Sequence, residues 1–408
     1  MQILSSNTSN AWLDSNNQAE VGGLEPRPSP AIQEARRVLS DIFRCGNLVV
    51  LAGLGTSLCV DDLIGGRLAP TMADLWTRVE QNHNDLEFHD FAWEDLLALV
   101  KHPDGDENLE TLLSRCRLAE SFIEGDDLFA LQNATKAAEK VVYKSVDFLE
   151  PNHDLPIHTE FLRRIARRSN RKSRAKIFTT NYDRCFEEAA RQGRYVVIDG
   201  FSHTSPPTFD AVNFTYDVVR RGRENDTQDY IPNLFHLYKL HGSIDWQREP
   251  ASGEIQKVET PENPLLIYPR STKYELAFEQ PYLEMMAALQ SCLREADTGL
   301  LVIGFGFNDN HLSEPIMAAI RSNLALKVAI ISPNLAPWED ANGARQHGES
   351  GKNRHLNRVR DLIRTGDARL SLINATFQEL MPLAPDLAAE SDLERHVERL
   401  RKLDEAPL

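Results

Sequence analysis

Apolar positions along the 408-residue chain change their period several times, and each change predicts an element. AIQEARRVLSDIFRCG, residues 31–46, carries apolar residues at three-to-four spacing and stops on a glycine, which predicts a helix. NLVVLAGLGTSL, residues 47–58, is an apolar run that turns into glycines, which predicts a short buried strand and a tight loop. From about 72 to 170 the helical spacing returns in five stretches: MADLWTRVEQ, FAWEDLLALVKH, NLETLLSRCRLAESFI, DDLFALQNATKAAEKVVYKSVDFL and HTEFLRRIARRS. That block is too long for a single crossover helix and predicts an inserted helical subdomain.

Strand patterns then resume at AKIFTT, RYVVID, FHLYKLHG, PLLIYP, GLLVIGFG and LKVAIISPN, several without alternation, as expected of strands buried on both faces. Helical stretches YDRCFEEAARQG, YLEMMAALQSCLREAD and HLSEPIMAAIRSNL lie between some of them. The alternation predicts an α/β fold, a doubly wound parallel Rossmann-like sheet. ARLSLINA adds a further strand, and the amphipathic SDLERHVERLRKL a helix that closes the fold or pairs with another subunit. Residues 1–30, rich in Asn, Ser and Gly and ending in PRPSP, read as a flexible tail. The expected division is a tail over 1–30, a main domain over 31–385 with its insertion, and a C-terminal helix over 386–408.

Composition narrows the class. Hydrophobic and charged fractions of 41% and 26% are those of a globular protein, and no apolar run approaches a membrane span. The N-terminus lacks the basic start and apolar segment of a secretory signal, so a cytoplasmic location is expected. Five scattered cysteines with no C-x-x-C pair suggest neither a disulfide framework nor a cysteine zinc site. The formal charge of -16 repels polyanions on average, leaving one local exception. RRIARRSNRKSRAK, residues 163–176, concentrates eight basic residues; charge runs of this kind usually form a solvated helix end and loop, and the alternative is docking of an acidic partner or a phosphate backbone.

Four predicted strand ends carry residues suited to chemistry, and in doubly wound sheets ligands bind at the carboxyl ends of the strands. In AGLGTS, Gly53 and Gly55 allow close backbone approach to a diphosphate, with Thr56 and Ser57 as donors, although a simple tight turn explains the loop equally well. In TTNYD, Thr180, Asn181, Tyr182 and Asp183 offer an amide and a carboxylate for a ribose or an amide group, or merely cap the following helix. In KLHGSIDW, His241 ends an apolar strand and is placed to act as a base, or is a structural histidine. VIGFGFND brings Gly304 and Gly306 to another strand end, as a nucleotide rest or a turn.

In this order, GLGTS, TTNYD, LHGS and IGFGFND resemble the sirtuin-like family, in particular its bacterial antiphage-defence branch of NAD-consuming proteins. The resemblance spans roughly residues 45–335. It implies that Gly53, Gly55 and Ser57 match the family's glycine loop, Asn181 and Asp183 its second segment, and His241 its catalytic histidine. Gly304 and Gly306 match its fourth segment, and Asn334 in ISPN its asparagine near the adenosine. Leu54, Thr180, Tyr182 and Phe305 to Phe307 depart from the family pattern. The four zinc cysteines of protein-deacylating sirtuins are missing after His241, so no metal is expected and protein deacylation is disfavoured. The resemblance therefore implies an NAD hydrolase, with NAD as substrate and Asn181, Asp183 and His241 catalytic. It also implies a homo-oligomer restrained by assembly, with a HerA-like hexameric ATPase as a partner; no Walker motif occurs in this chain. A transferase of ADP-ribose or acyl groups, and a non-catalytic NAD or ADP-ribose sensor, are the alternatives.

Overall fold

Alternate residues of Asn47–Ala52 serve two cores, with Leu48, Val50 and Ala52 packed on one side and Val49 and Leu51 on the other. A strand buried on both faces needs a layer on each side, and the computed structural model contains both. It describes residues 1–8, 11–16, 28–62, 65–85, 92–151, 153–166, 168, 172–220, 229–261, 264–266, 280–339 and 345–386.

The chain opens with β1 (Gln2–Ser5), β2 (Leu13–Asp14), α1 (Pro30–Phe43) and β3 (Asn47–Ala52). Five helices follow: α2 (Met72–Asp85), α3 (Trp93–Leu99), α4 (Leu109–Ala119), α5 (Asp126–Val146) and α6 (Pro156–Ala166). Next come β4 (Lys176–Thr179), α7 (Cys185–Gly193), β5 (Val196–Ile198), the short pair β6 (Val219–Arg220) and β7 (Asp229–Tyr230), and β8 (Leu234–Lys239). β9 (Gly242–Arg248), β10 (Ile255–Lys257) and β11 (Pro264–Leu266) make a small antiparallel sheet. The last part runs α8 (Tyr282–Arg294), β12 (Thr298–Ile303), α9 (Asn310–Ser322), β13 (Lys327–Ile331), the pair β14 (Trp338–Glu339) and β15 (Arg345–Gln346), α10 (Glu349–Lys352), α11 (Arg354–Arg364), β16 (Leu370–Asn374) and α12 (Phe377–Leu380).

Nine strands form one sheet in the order β2-β1-β16-β13-β12-β3-β4-β8-β5, parallel from β16 to β5. Helices α1, α6, α7 and α12 cover one face and α8, α9 and α11 the other, giving the doubly wound Rossmann-like fold. From β3 the chain first builds β4, β5 and β8 to one side, then returns to lay β12, β13 and β16 on the other. The order thus reverses between β3 and β12. Their register, Thr298 opposite Asn47 and Ile303 opposite Ala52, ends both strands at the same level, so their loops emerge side by side.

Two expectations change. Gln2–Ser5 is no tail: it pairs antiparallel with β16, with Ile3 and Leu4 fully buried, a four-residue strand whose partner lies about 370 positions away. The helical insertion closes a third core around Trp76, Trp93, Leu113 and Leu131 but ends at Val146. α6 instead packs Phe161, Leu162 and Ile165 into the sheet core, a choice that helical spacing alone cannot read. The predicted SDLERHVERLRKL helix lies outside the described residues.

The basic segment, where described, is tied to its own chain. Arg163 meets Glu160 and Asp386, and Arg164 meets Glu160. Arg168 donates to the Phe43 and Gly46 carbonyls, Lys172 to the Arg44 carbonyl, and Arg174 pairs with Asp217. The Arg168 and Lys172 contacts fasten the α6–β4 connection over the α1–β3 turn. Among the described residues no helix is long and apolar enough to cross a membrane.

Candidate active site

The loops after β3 and β12 close on each other through backbone. Gly53 N donates to Ile303 O at 2.9 Å and Gly55 N to Gly304 O at 3.0 Å. A Cβ on Gly53 would stand 2.6 Å from Gly304 O, one on Gly55 2.5 Å from Gly304 Cα, and Gly304 itself has φ +61°. These three glycines are therefore required by the contact between the loops. Gly306 differs, since a Cβ there would meet only the Asn308 side chain, at 3.2 Å.

Thr56 and Ser57 sit in the short helical turn after Gly53 and are fully buried. Their hydroxyls face inward and hold the loop after β4. Asn181 Nδ2 donates to Gly53 O at 3.1 Å, Thr56 Oγ1 at 3.1 Å and Ser57 Oγ at 2.8 Å. With the amide nitrogen so engaged, Oδ1 is the end of Asn181 left to a ligand. Asp183 accepts from Ser57 Oγ at 2.7 Å on one oxygen and from Cys185 N at 3.0 Å on the other. Its two oxygens thus tie the loop after β4 to the glycine loop after β3 and to the start of α7.

Beneath this loop lies a residue with no signal in the sequence. Lys239, the buried last residue of β8, donates its ammonium to the Tyr182 and Asp183 carbonyls and pairs with Glu187 at 3.0 Å. A buried cation aimed at two carbonyls and a carboxylate fixes the backbone that presents Asn181 and Asp183.

Thr179 and Lys239 stand opposite each other on β4 and β8, so Asn181 and His241, each two residues further on, leave neighbouring strands together. His241 occupies the turn where the parallel strand β8 passes into β9. Gly242, at φ +85°, follows because the Leu265 carbonyl leaves no room for a Cβ. The imidazole is buried, and burial pushes its pKa down to about 3, so it is neutral near pH 7. Its Nε2 lies 3.2 Å from Nε2 of His311 in α9, and its ring stands 6.4 Å from that of Tyr182.

Thr180, Asn181, Tyr182, Asp183, His241, Gly304 and Gly306 line one cavity of about 260 Å³. It opens at the reversal of strand order, where doubly wound folds bind ligands. The helical insertion forms its opposite wall, with Met72, Leu75 and Val146 apolar and Asn108 and Glu110 polar; Phe148 and Phe305 extend the apolar lining. Asn308 and Asp309 close the VIGFGFND strand end, whereas nothing local marks Asn108 and Glu110 of the helical insertion as neighbours of a strand end. Asn334 is not among the cavity residues: it lines a separate cleft with Gln2, Trp338 and Asn374 beyond β13. Among the described residues no group of three or more His, Cys, Asp and Glu side chains is placed to hold a metal.

Residues 175–347 match the SIR2-like domain family, a segment that contains Asn181, Asp183, His241, Gly304 and Gly306. The match supports a Sir2-like family and NAD-dependent chemistry in general. It begins just before β4, so the glycine loop after β3 and the helical insertion lie outside it. No curated protein matches the chain.

Proposed function

We propose that the chain is an NAD glycohydrolase that cleaves the nicotinamide N-glycosidic bond to give nicotinamide and ADP-ribose. The observation that carries this reading is the convergence of the Asn181 carboxamide and the His241 imidazole on one cavity, at the ends of adjacent parallel strands. Cleavage builds positive character on the anomeric carbon, as in glycoside hydrolysis. Asn181 Oδ1 accepts from a ribose hydroxyl or the attacking water and holds it in place. His241, neutral and buried, takes the proton from that hydroxyl or water, help that is typically worth about 10²- to 10⁴-fold. Leu75, Val146, Phe148 and Phe305 give the nicotinamide ring an apolar wall and keep bulk water away.

Unrestrained NAD hydrolysis would harm the cell that makes the enzyme. The resemblance to defence proteins supports restraint by assembly, as a homo-oligomer and with a HerA-like hexameric ATPase, in antiviral defence in the cytoplasm. The test is direct: incubate the purified protein, with and without such a partner, with NAD and follow nicotinamide release. Asn181→Ala and His241→Ala should each lower release by at least about 10²-fold while NAD still binds. Activity that survives both substitutions sinks the reading, and tight NAD binding without turnover by the wild type in either condition favours a sensor.

A further inference from the structure

Hydrolysis of NAD by water yields neutral nicotinamide, ADP-ribose and one proton. His241, the base assigned above, is buried, and a buried imidazole is a poor place to leave a positive charge. Its Nε2 faces His311 Nε2 at 3.2 Å, with ring centroids 5.3 Å apart. His311 belongs to the first turn of α9 and is exposed to solvent. One imidazole is therefore in the cavity wall, the other in water, and a single N–H···N contact joins them.

We propose that His311 is the proton outlet of the site, a positioning and relay residue that lets His241 act as a base without keeping the charge. This rests on the hydrolase reading above. In the step, the hydroxyl or water proton passes to His241 Nδ1 as its oxygen commits to the sugar. The proton on His241 Nε2 passes to His311 Nε2, and His311 releases its Nδ1 proton to solvent. One proton enters the pair and one leaves, and the rings return to their starting tautomers by exchange with water once the products depart.

The surroundings suit a relay that stays uncharged at rest. His311 keeps exposed surface, but partial loss of water around its ring and the neighbouring His241 push it down to about 4, while Asp309 pulls the other way. Arg354 of α11 is drawn aside to Glu314 at 2.6 Å and to Asn310 at 3.0 Å, with His355 also beside Asn310. Among the described residues, Tyr182, Asp183 and Glu110 are the other titratable groups lining the cavity.

The experiment compares wild type, His311→Ala and His311→Gln for nicotinamide release between pH 5.5 and 8.5, in weak buffer and with added imidazole. The expected result is a fall in kcat of about 10- to 100-fold in both variants, with KM for NAD within about twofold of wild type. Free imidazole should restore His311→Ala saturably, since the position is open to solvent, and should leave His241→Ala inactive. An unchanged kcat, or a loss that appears in KM and ignores imidazole, overturns the relay. A second readout needs no turnover: ¹⁵N spectra of the imidazoles of the NAD-free protein should show the His241 tautomer and titration change in His311→Ala. If wild type releases no nicotinamide, the hydrolase reading fails; a His241 signal that ignores the loss of His311 overturns the pairing itself.

Discussion

Two pairs of neighbouring strand ends border the cavity, and they are built on opposite principles. The β3 and β12 loops meet backbone to backbone through Gly53, Gly55 and Gly304, with side chains absent where the chains touch. The β4 and β8 ends meet through side chains: Lys239 under the Tyr182 and Asp183 carbonyls, and Asn181 and Asp183 reaching across to Thr56 and Ser57. The first pair sets the spacing of the floor, and the second carries the reactive groups. Glycine at a strand end is therefore no sign of a ligand contact by itself. What matters is which chain the missing Cβ makes room for.

The largest expected effect falls on the glycine pair. Gly304→Ala combines a strained positive φ with a methyl driven into the Gly55 backbone, and should destabilise the fold by about 3–5 kcal/mol. Gly306→Ala, with only the Asn308 side chain in its way, should shift the urea midpoint by an amount equivalent to less than about 0.5 kcal/mol. Equal effects at the two positions would break the comparison.

On the side-chain half, Lys239→Met strands Glu187 without its cation and should destabilise by about 3 kcal/mol. Adding Glu187→Gln should recover part of that loss, and the double-mutant cycle measures the coupling. Strict additivity of the two changes would show that the pair does not hold the Asn181 loop in place.

Acid should act more strongly on the side-chain half, because β8 carries His236 and leads into His241, both buried, whereas β3 and β12 have no histidine and the loop after β12 leads to His311, which keeps exposed surface. Burial lowers His236 to about 4 and His241 to about 3, and lowers His158 of α6 to about 4. The sign follows from proton uptake: below the unfolded value near 6.5 the unfolded chain binds protons that the folded chain refuses, so stability falls as pH drops from about 6.5 toward 4. Each histidine should contribute about 1 kcal/mol of loss per pH unit in that window. Denaturant midpoints that stay flat from pH 6.5 to 4.5 would contradict the burial of these rings.

Much of the architecture was legible beforehand. Apolar runs such as NLVVLA and LLVI marked strands buried on both faces, and the clusters at 180–183 and 241 stood at strand ends because polar residues there interrupt an otherwise apolar pattern. Other features had no local signal. β1 is four residues long and joins the main sheet through β16, at the other end of the chain. His311 reads as an ordinary polar position in a helix start until α9 brings it to His241, 70 positions away. Thr56 and Ser57 look like donors for a ligand in any glycine loop, and only packing turns their hydroxyls inward.

The sequence by itself determined the doubly wound class and the chemical character of the strand ends, since periodicity and residue type are properties of a few adjacent positions. The tertiary structure decided which ends face one another, which glycines serve the chain itself, and where the proton of a buried imidazole can go. Those depend on distances between segments far apart in the chain, set by how both faces of one sheet are covered at once.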